Sequence, residues 1–472
     1  MEKVYDAIIF GGGIIGSCIF DDLTLSGYSA VLLEIGGDVA SGTSKANSGI
    51  VHAGFDATPG TLKAKFNVEG SLMYPEMCNR VGVRLGNCGA YVIGNDLKKV
   101  EELYSRGLTN GVKDLEILNR EQLLKRIPNI TEKITCGLFA KSSKIVSPYV
   151  FTISLAEEGI LNGGVVELNY NTIKVEHKNG VYEVTNGKTK YFGKYLINST
   201  GNAYNDMAKL IGSETYDITY KRGEYYILDK SEFSVAYSTI FPLPSAHSKG
   251  ILVTPTVDGN TLVGPTSYES DSSVKTTDLG LKEIKEKSSA MLNNVNLKKA
   301  IRIFSGVRAV VGDDFVIEKS KLKPNVINLA GICSPGLSSA PAISKYVISE
   351  LMQLTYDLKK NAKHKLVPYT LSKTLPKQEL NDLIAKDSDY GKVVCKCEDV
   401  TVGDIKMALN RPLKINSVDG IKRRVRAGMG RCQGGFCLDK VISIIAESNN
   451  ETLEDVCKEG VGTNFIVGNI KE

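Results

Sequence analysis

Residues 4 to 34 constrain the fold of this chain more than any other stretch. Val4 to Phe10 (VYDAIIF) is an apolar run of the kind a strand buried on both faces requires. It feeds Gly11-Gly12-Gly13-Ile14-Ile15-Gly16, a helical segment to about Ser26 with Gly27 as its stop, and a second strand, Ala30 to Leu33, closed by Glu34. Strand, G-x-G-x-x-G, helix, strand and acid in that order predict the opening of a parallel, doubly wound sheet that binds a dinucleotide. Gly11 permits the tight turn, Gly13 lets backbone approach a pyrophosphate, and Gly16 lets helix and strand pack. The helix N-terminus attracts phosphate, and Glu34 accepts from a ribose 2′-hydroxyl. The motif alone leaves FAD and NAD both open.

Length and composition set the frame. A chain of 472 residues allows about three domains. Net charge is +5 on 58 basic and 53 acidic residues, a near balance that does not call for nucleic acid. "MEKVYDAIIF" lacks the basic start and apolar run of a signal peptide, and no apolar stretch is long enough for a transmembrane helix. A cytoplasmic protein is expected, with peripheral docking at the inner face of a membrane compatible with that. Ten cysteines in such a chain point to a reducing compartment with some thiols used as ligands.

Four of those cysteines form two close pairs near the C-terminus: Cys395 and Cys397 in "VVCKCEDVT", Cys432 and Cys437 in "GMGRCQGGFC". Four thiolates so spaced can hold a 2Fe–2S cluster or a zinc ion. C-x-C is tighter than zinc knuckles usually are, and a glycine-rich second pair lets backbone N–H groups turn toward sulfur, which favours iron–sulfur. Thr401, with Asp404 three positions on, predicts a capping box and a helix to about Asn410. A second helix should start near Leu438. Lys422, Arg423, Arg424, Arg426 and Arg431 read either as a patch that steers an acidic electron-transfer partner or as a solvated basic loop.

Three further segments carry a family resemblance. Ser41 to Gly54 (SGTSKANSGIVHAG) is small and polar, "YLINSTGNAYND" is a strand from Tyr195 to Ser199 followed by Thr200-Gly201, and "INLAGICSPGLSSAPAISKYV" is a strand, a glycine turn and a helix opening near Ser338. With these the chain resembles the D-amino-acid-oxidase-like FAD-dependent oxidoreductases. The resemblance implies that the first segment wraps the flavin (Thr43, Ser44, Asn47, Ser48, Gly49). It implies that Thr200 and Gly201 form a second nucleotide turn, and that Gly331, Pro335, Gly336, Leu337 and Ser338 bring a helix N-terminus to the flavin's pyrimidine end. "SGIVHAGFD", "KRGEYYILD", "HSKGILVTPTVDGNTLVGPT", "FSGVRA" and "SPGLSSAPAI" resemble a narrower group, the bacterial glycerol-3-phosphate dehydrogenases and oxidases and the L-2-hydroxyglutarate oxidoreductases. The C-terminal segment resembles the 2Fe–2S domain of bacterioferritin-associated ferredoxin.

The expected fold class is therefore α/β, with an α+β substrate part. A Rossmann-like FAD-binding domain (about 1–75, 145–215 and 300–365) carries an inserted antiparallel-sheet substrate domain (about 76–144 and 216–299). A linker (366–387) leads to a small, mostly helical cluster domain (388–472). "GILVTPTVDG" and "NTLVGPTS" should pair as a hairpin about "DGN". The final helix of the flavin part should end near Lys360.

The substrate should be a small alcohol or amine with an anionic group. Lys249 and Arg308 are candidate clamps for that anion, the second lying in an apolar stretch where a lone charge needs a partner. His52 titrates in the range suited to taking a hydroxyl proton, and the resemblance sets it beside the flavin; His247 is a weaker second candidate. The resemblance implies oxidation of sn-glycerol 3-phosphate to dihydroxyacetone phosphate, with electrons leaving through the cluster to a flavoprotein or quinone-linked subunit. Alternatives are an L-2-hydroxyglutarate or other hydroxy-acid dehydrogenase, a proline-type amine dehydrogenase, and an electron-relay subunit.

Overall fold

The computed structural model describes residues 3–244 and 250–468. The strand Val4–Phe10, the helix Ile14–Leu25 and the strand Ala30–Leu33 form where the sequence predicts them. Val4–Phe10 pairs in parallel with Ala30–Leu33 on one side and with Lys190–Asn198 on the other. Among the described residues this sheet has eight strands; Val165–Glu167 extends it past Ala30–Leu33, and Val326–Ala330 joins the far half of Lys190–Asn198. The helix Ile14–Leu25 is buried along its whole length, packed against the helices Pro148–Leu161 and Gly336–Tyr346. A helix covered on all sides needs no polar stripe, yet this one buries two acids, Asp21 and Asp22.

A second sheet has nine strands among the described residues. The predicted hairpin is present: Leu252–Pro255 pairs antiparallel with Thr261–Gly264, and Gly259 takes φ +87° in the turn. One pair is parallel, Thr239–Pro242 beside Ala90–Gly94, so the sheet is mixed. The strand Ala300–Val310, expected in the flavin-binding part, belongs to this sheet instead, because it pairs along Thr219–Leu228 from Thr219↔Val310 to Leu228↔Ala300. The flavin part's last helix also departs from expectation. Gly336–Tyr346 widens into a π turn, Val347–Leu351, and stops there rather than near Lys360. The chain beyond is held by tertiary bonds: the Thr355 N–H donates to Tyr28, the Asp357 N–H to Ser26, and the Tyr356 hydroxyl to Asp22. These contacts win over local helix propensity.

The C-terminal module has its own apolar core, running from Leu371 through Ile405, Ile421 and Ile445 to Val456. The capping box at Thr401 and Asp404 forms, and the helices Val402–Leu409 and Leu438–Asn449 follow the prediction. A third helix, Val418–Val425, was not foreseen. The stretch read as linker contains a helix, Lys377–Lys386, and Ser372 donates both its N–H and its hydroxyl to Asp404. No helix among the described residues is long and apolar enough to cross a membrane.

Candidate active site

The two sheets enclose a cavity of about 1370 Å³ that runs from Glu34 to Arg308. That exceeds the roughly 300–1,000 Å³ of a single-ligand pocket and leaves room for a dinucleotide and a small substrate together. Near Glu34 the glycines pack closely where the motif calls for small residues. A Cβ on Gly11 would lie 2.8 Å from the Ser199 carbonyl, and one on Gly16 only 2.1 Å from the Gly11 carbonyl. Gly13 borders the cavity with only the Ser44 hydroxyl near it, at 3.2 Å from a hypothetical Cβ. Glu34 accepts the Gly12 N–H at 2.6 Å and the Gly36 N–H at 2.7 Å. Burial pushes its carboxyl above the ordinary value, against the pull of those two amides. A carboxylate has room for further donors, so the ribose contact expected of Glu34 remains open to it.

The polar loop lines the cavity from Ser41 to Ser44 and from Ala46 to Ser48. Ser44 Oγ accepts the Ile14 N–H at 2.9 Å, which ties the loop to the start of the first helix. Thr43 Oγ1 donates to the Val307 carbonyl, and Asn47 donates to the Thr43 and Ser44 carbonyls while accepting the Gly49 N–H. Ser48 stands 3.4 Å from the Tyr225 hydroxyl. Thr200, Gly201, Pro335, Gly336 and Leu337 line the cavity. Gly16, Gly49, Gly331 and Ser338 stand one layer back. Gly49 packs on the Val146 carbonyl and Gly331 on Val311, while Ser338 accepts the His52 N–H at 2.8 Å.

At the other end sit the expected chemical groups. His52 lines the cavity, its ring 5.8 Å from that of Phe241. Arg308 lines it too; its guanidinium donates to the Lys221 and Thr266 carbonyls at 3.5 and 3.3 Å and to the Ser267 hydroxyl at 3.4 Å. Each of these partners of Arg308 is a neutral oxygen. A half-buried guanidinium that touches only neutral oxygens retains most of its attraction for an anion. Lys249 and His247 lie outside the described residues. The sequence reading missed Lys221 and Tyr225, which line the same wall. Strand register was the available signal. Lys221, Gly223 and Tyr225 share one face of their strand and lie opposite Arg308, Gly306 and Phe304. The glycine pair admits the polar loop, since a Cβ on Gly306 would lie 2.0 Å from the Ala46 carbonyl.

The four cluster cysteines converge at one edge of the C-terminal module. Cys395 ends the strand Val393–Cys395, and Cys437 precedes the helix Leu438–Asn449. Cys397 Sγ lies 3.8 Å from Cys432 Sγ. Burial and then the neighbouring Cys395 push the Cys437 thiol up to about 12. Burial acts the same way on Cys432, but the backbone N–H groups of Gly434 and Phe436 outweigh it and hold that thiol below its usual value. Amides turned toward sulfur suit a cluster, and a Cβ at Gly430 would lie 2.2 Å from that of Cys397. Among the described residues no group of three or more His, Cys, Asp or Glu side chains is gathered around a single-ion site. The thiols stand as two pairs instead. Arg431, Gln433 and Met429 seat this loop on Asp229, Arg302 and Tyr149.

The basic run beside the cysteines is neither a steering patch nor a solvated loop. Arg423, Arg424 and Arg426 are buried. Arg423 and Arg424 both grip Asp38, and Arg426 bridges Glu398 and Asp258. Only Arg431 is largely exposed, at 68%, and it pairs with Asp229. The acids that bury these arginines come mainly from distant parts of the chain, which a local charge count does not reveal.

Residues 6–350 match the family of FAD dependent oxidoreductases, and residues 393–447 match the BFD-like 2Fe–2S binding domain. The chain belongs to the FAD dependent oxidoreductase family and carries a 2Fe–2S domain at its C-terminal end. It is 39% identical to a glycerol 3-phosphate dehydrogenase of Caloramator mitchellensis, over 99% of both chains. It is 31% identical to a glycerol 3-phosphate oxidase of Mycoplasma genitalium, over 76% of this chain and 97% of that one. Among solved structures it resembles the dithionite-reduced, FAD-bound L-alpha-glycerophosphate oxidase of Mycoplasma pneumoniae, with a TM-score of 0.72 and 28% identity over 77% of this chain and 99% of that chain. The glycine cradle and the paired cysteines fit the two cofactors these families name.

Proposed function

We propose that this protein is a dehydrogenase of sn-glycerol 3-phosphate, forming dihydroxyacetone phosphate and passing electrons to a separate acceptor. The observation that carries the reading is the 39% identity to a glycerol 3-phosphate dehydrogenase over 99% of both chains, cluster domain included. The Arg308 guanidinium at the cavity wall, with only neutral oxygens as partners, supports an anionic substrate. Bound in the cavity, FAD supplies a two-electron acceptor, and the 2Fe–2S cluster a one-electron carrier. The chain's own residues then have distinct tasks. Arg308, with Lys249, holds the phosphate. His52 Nε2 or Nδ1 takes the hydroxyl proton as the carbinol C–H bond breaks. The apolar wall at Phe241 keeps water from the reacting carbon. The acceptor is a flavoprotein or quinone-linked subunit that meets the protein at the cluster edge. Peripheral membrane association follows if that acceptor is membrane-bound.

Anaerobic bleaching of the flavin band tests this. Glycerol 3-phosphate should bleach it rapidly, and L-2-hydroxyglutarate and L-proline should not. His52→Asn should slow bleaching about 100-fold or more, the usual contribution of a general base. Bleaching by L-2-hydroxyglutarate or L-proline alone would replace the substrate. No bleaching by any of the three would favour a relay subunit.

A further inference from the structure

The cluster module does more than hold four cysteines beside the flavin half: it forms one wall of the loop that frames the dinucleotide. Asp38 follows Glu34 by four positions and is fully buried. Its two carboxylate oxygens accept four hydrogen bonds from Arg423 and Arg424, at 2.7 to 3.2 Å. Arg423 also donates to Glu459 at 2.9 Å, and Glu459 pairs with Lys45 on the polar loop between Ser44 and Ala46, two cavity-lining residues. The module's tail lies flat on the same loop, where a Cβ on Gly37 would come within 2.4 Å of the Glu459 carbonyl. The loop so held reaches the phosphate cradle directly. The Ala40 N–H donates to the Gly12 carbonyl at 2.8 Å, and Ser44 accepts the Ile14 N–H at 2.9 Å.

We infer that Asp38 is a positioning residue through which the 2Fe–2S module holds the FAD-framing loop closed, so that FAD retention depends on the module's arginines and tail. The acid lies behind the cavity and is absent from its lining; its effect passes through the loop backbone. Two charge-assisted clamps flank the loop, at Asp38 and at Lys45. A loop pinned at both ends loses less entropy when ligand binds than a free one does. Linkage then makes the effect reciprocal: bound FAD should stabilise module docking as much as docking stabilises bound FAD.

The test uses the intact holoenzyme and follows FAD release by the rise in free-flavin fluorescence after dilution, well below the melting temperature. Asp38→Asn keeps shape and removes charge. Glu459→Gln is a milder variant at a site 31% exposed, and it stands in if Asp38→Asn does not fold. Arg411→Gln is the control, since it breaks a buried contact between the module and the flavin half, Arg411 with Glu157 at 2.7 Å, that reaches the Asp38 clamp only through the 3.9 Å approach of Glu157 to Arg424. The expected result is release about tenfold faster in Asp38→Asn and several-fold faster in Glu459→Gln, with cluster absorbance retained. Arg411→Gln should lower the melting temperature without matching that release. Release within about twofold of wild type in the loop variants overturns the inference. So does equally fast release in Arg411→Gln, which would mean that undocking by any route frees the flavin.

Discussion

Two buried charge clusters in this protein contain the same number of acids and behave in opposite ways. Where the cluster module meets the flavin half, Asp38, Glu157 and Glu459 face Arg411, Arg423, Arg424 and Lys45. Inside the flavin half, Asp21, Asp22 and Glu158 share the single guanidinium of Arg80. Asp38 and Asp22 are equally sealed from water, each with 0% exposure. Burial pushes both carboxyls up, but at Asp38 the Arg424 and Arg423 guanidiniums overturn that push and hold it below its ordinary value. At Asp22 burial outweighs Arg80 and the carboxyl rises to about 6. Burial raises the carboxyls of Asp21 and Glu158 too, against the pull of the same Arg80 guanidinium. The supply of guanidinium, rather than depth, decides whether a buried acid is a charge or a neutral donor.

The largest effect should come from removing the shared acid. Asp38→Ala leaves two buried arginines without their partner and should cost about 3–5 kcal/mol in urea unfolding. A loss below about 1 kcal/mol would place this network with surface ion pairs and break the comparison. Asp22→Asn should act with the opposite sign. It removes a charge that the fold penalises while keeping an oxygen for the Ser344 and Tyr356 hydroxyls, and should stabilise by about 1–3 kcal/mol at pH 8.

The pH dependence sharpens the same contrast. Asp22 titrates near 6 in the folded protein against 3.8 when unexposed to the fold. Between those values the native state binds the extra proton, so the contribution of Asp22 to stability falls as pH rises from about 4 to 6 and then levels. Asp38 works the other way: its contribution is present above its ordinary value and is lost only as pH falls below it. The stability gained by Asp22→Asn over wild type, from urea unfolding, should therefore grow by up to about 1 kcal/mol per pH unit across that range. A difference that does not change with pH would show that Asp22 titrates alike in the folded and unfolded chain.

What was legible in the sequence follows this division. The strand, glycine turn and helix of the first segment, the hairpin at Gly259 and the capping box at Thr401 are local patterns, and each forms in the fold as read. Arg423 and Arg424 were misread because their partner, Asp38, is 385 and 386 positions away. A run of basic residues looks solvated until the fold brings acids to it. The early end of the helix after Leu351 has the same origin, since Tyr28, Ser26 and Asp22 capture the chain from far upstream. Lys221 and Tyr225 are a different case. Their alternation on one strand face was readable, and only the register with Ala300–Val310 showed that the face borders the cavity.

The smallest expected effect is that of salt. Raising KCl from about 0.05 to about 0.5 M shortens the screening length from over 10 Å to a few ångströms, which weakens pairs that ions can approach. Arg424 and Asp38 have side-chain exposures of 0%, and Arg423 of 5%, so mobile ions cannot enter between them. Arg80 is 21% exposed, and its acids Asp21 and Asp22 are at 0%. The Asp38 and Arg80 pairs should therefore ignore the change, with only the partly exposed Lys45–Glu459 pair open to screening, and urea stability at pH 7 should move by less than about 0.5 kcal/mol. A clear loss confined to wild type and absent from Asp38→Ala would show that the module interface opens to solvent on the timescale of unfolding, and that its charges owe their low carboxyl titration to proximity alone. Insensitivity in both proteins would leave the contrast where the geometry puts it, in the number of guanidiniums each set of acids can reach.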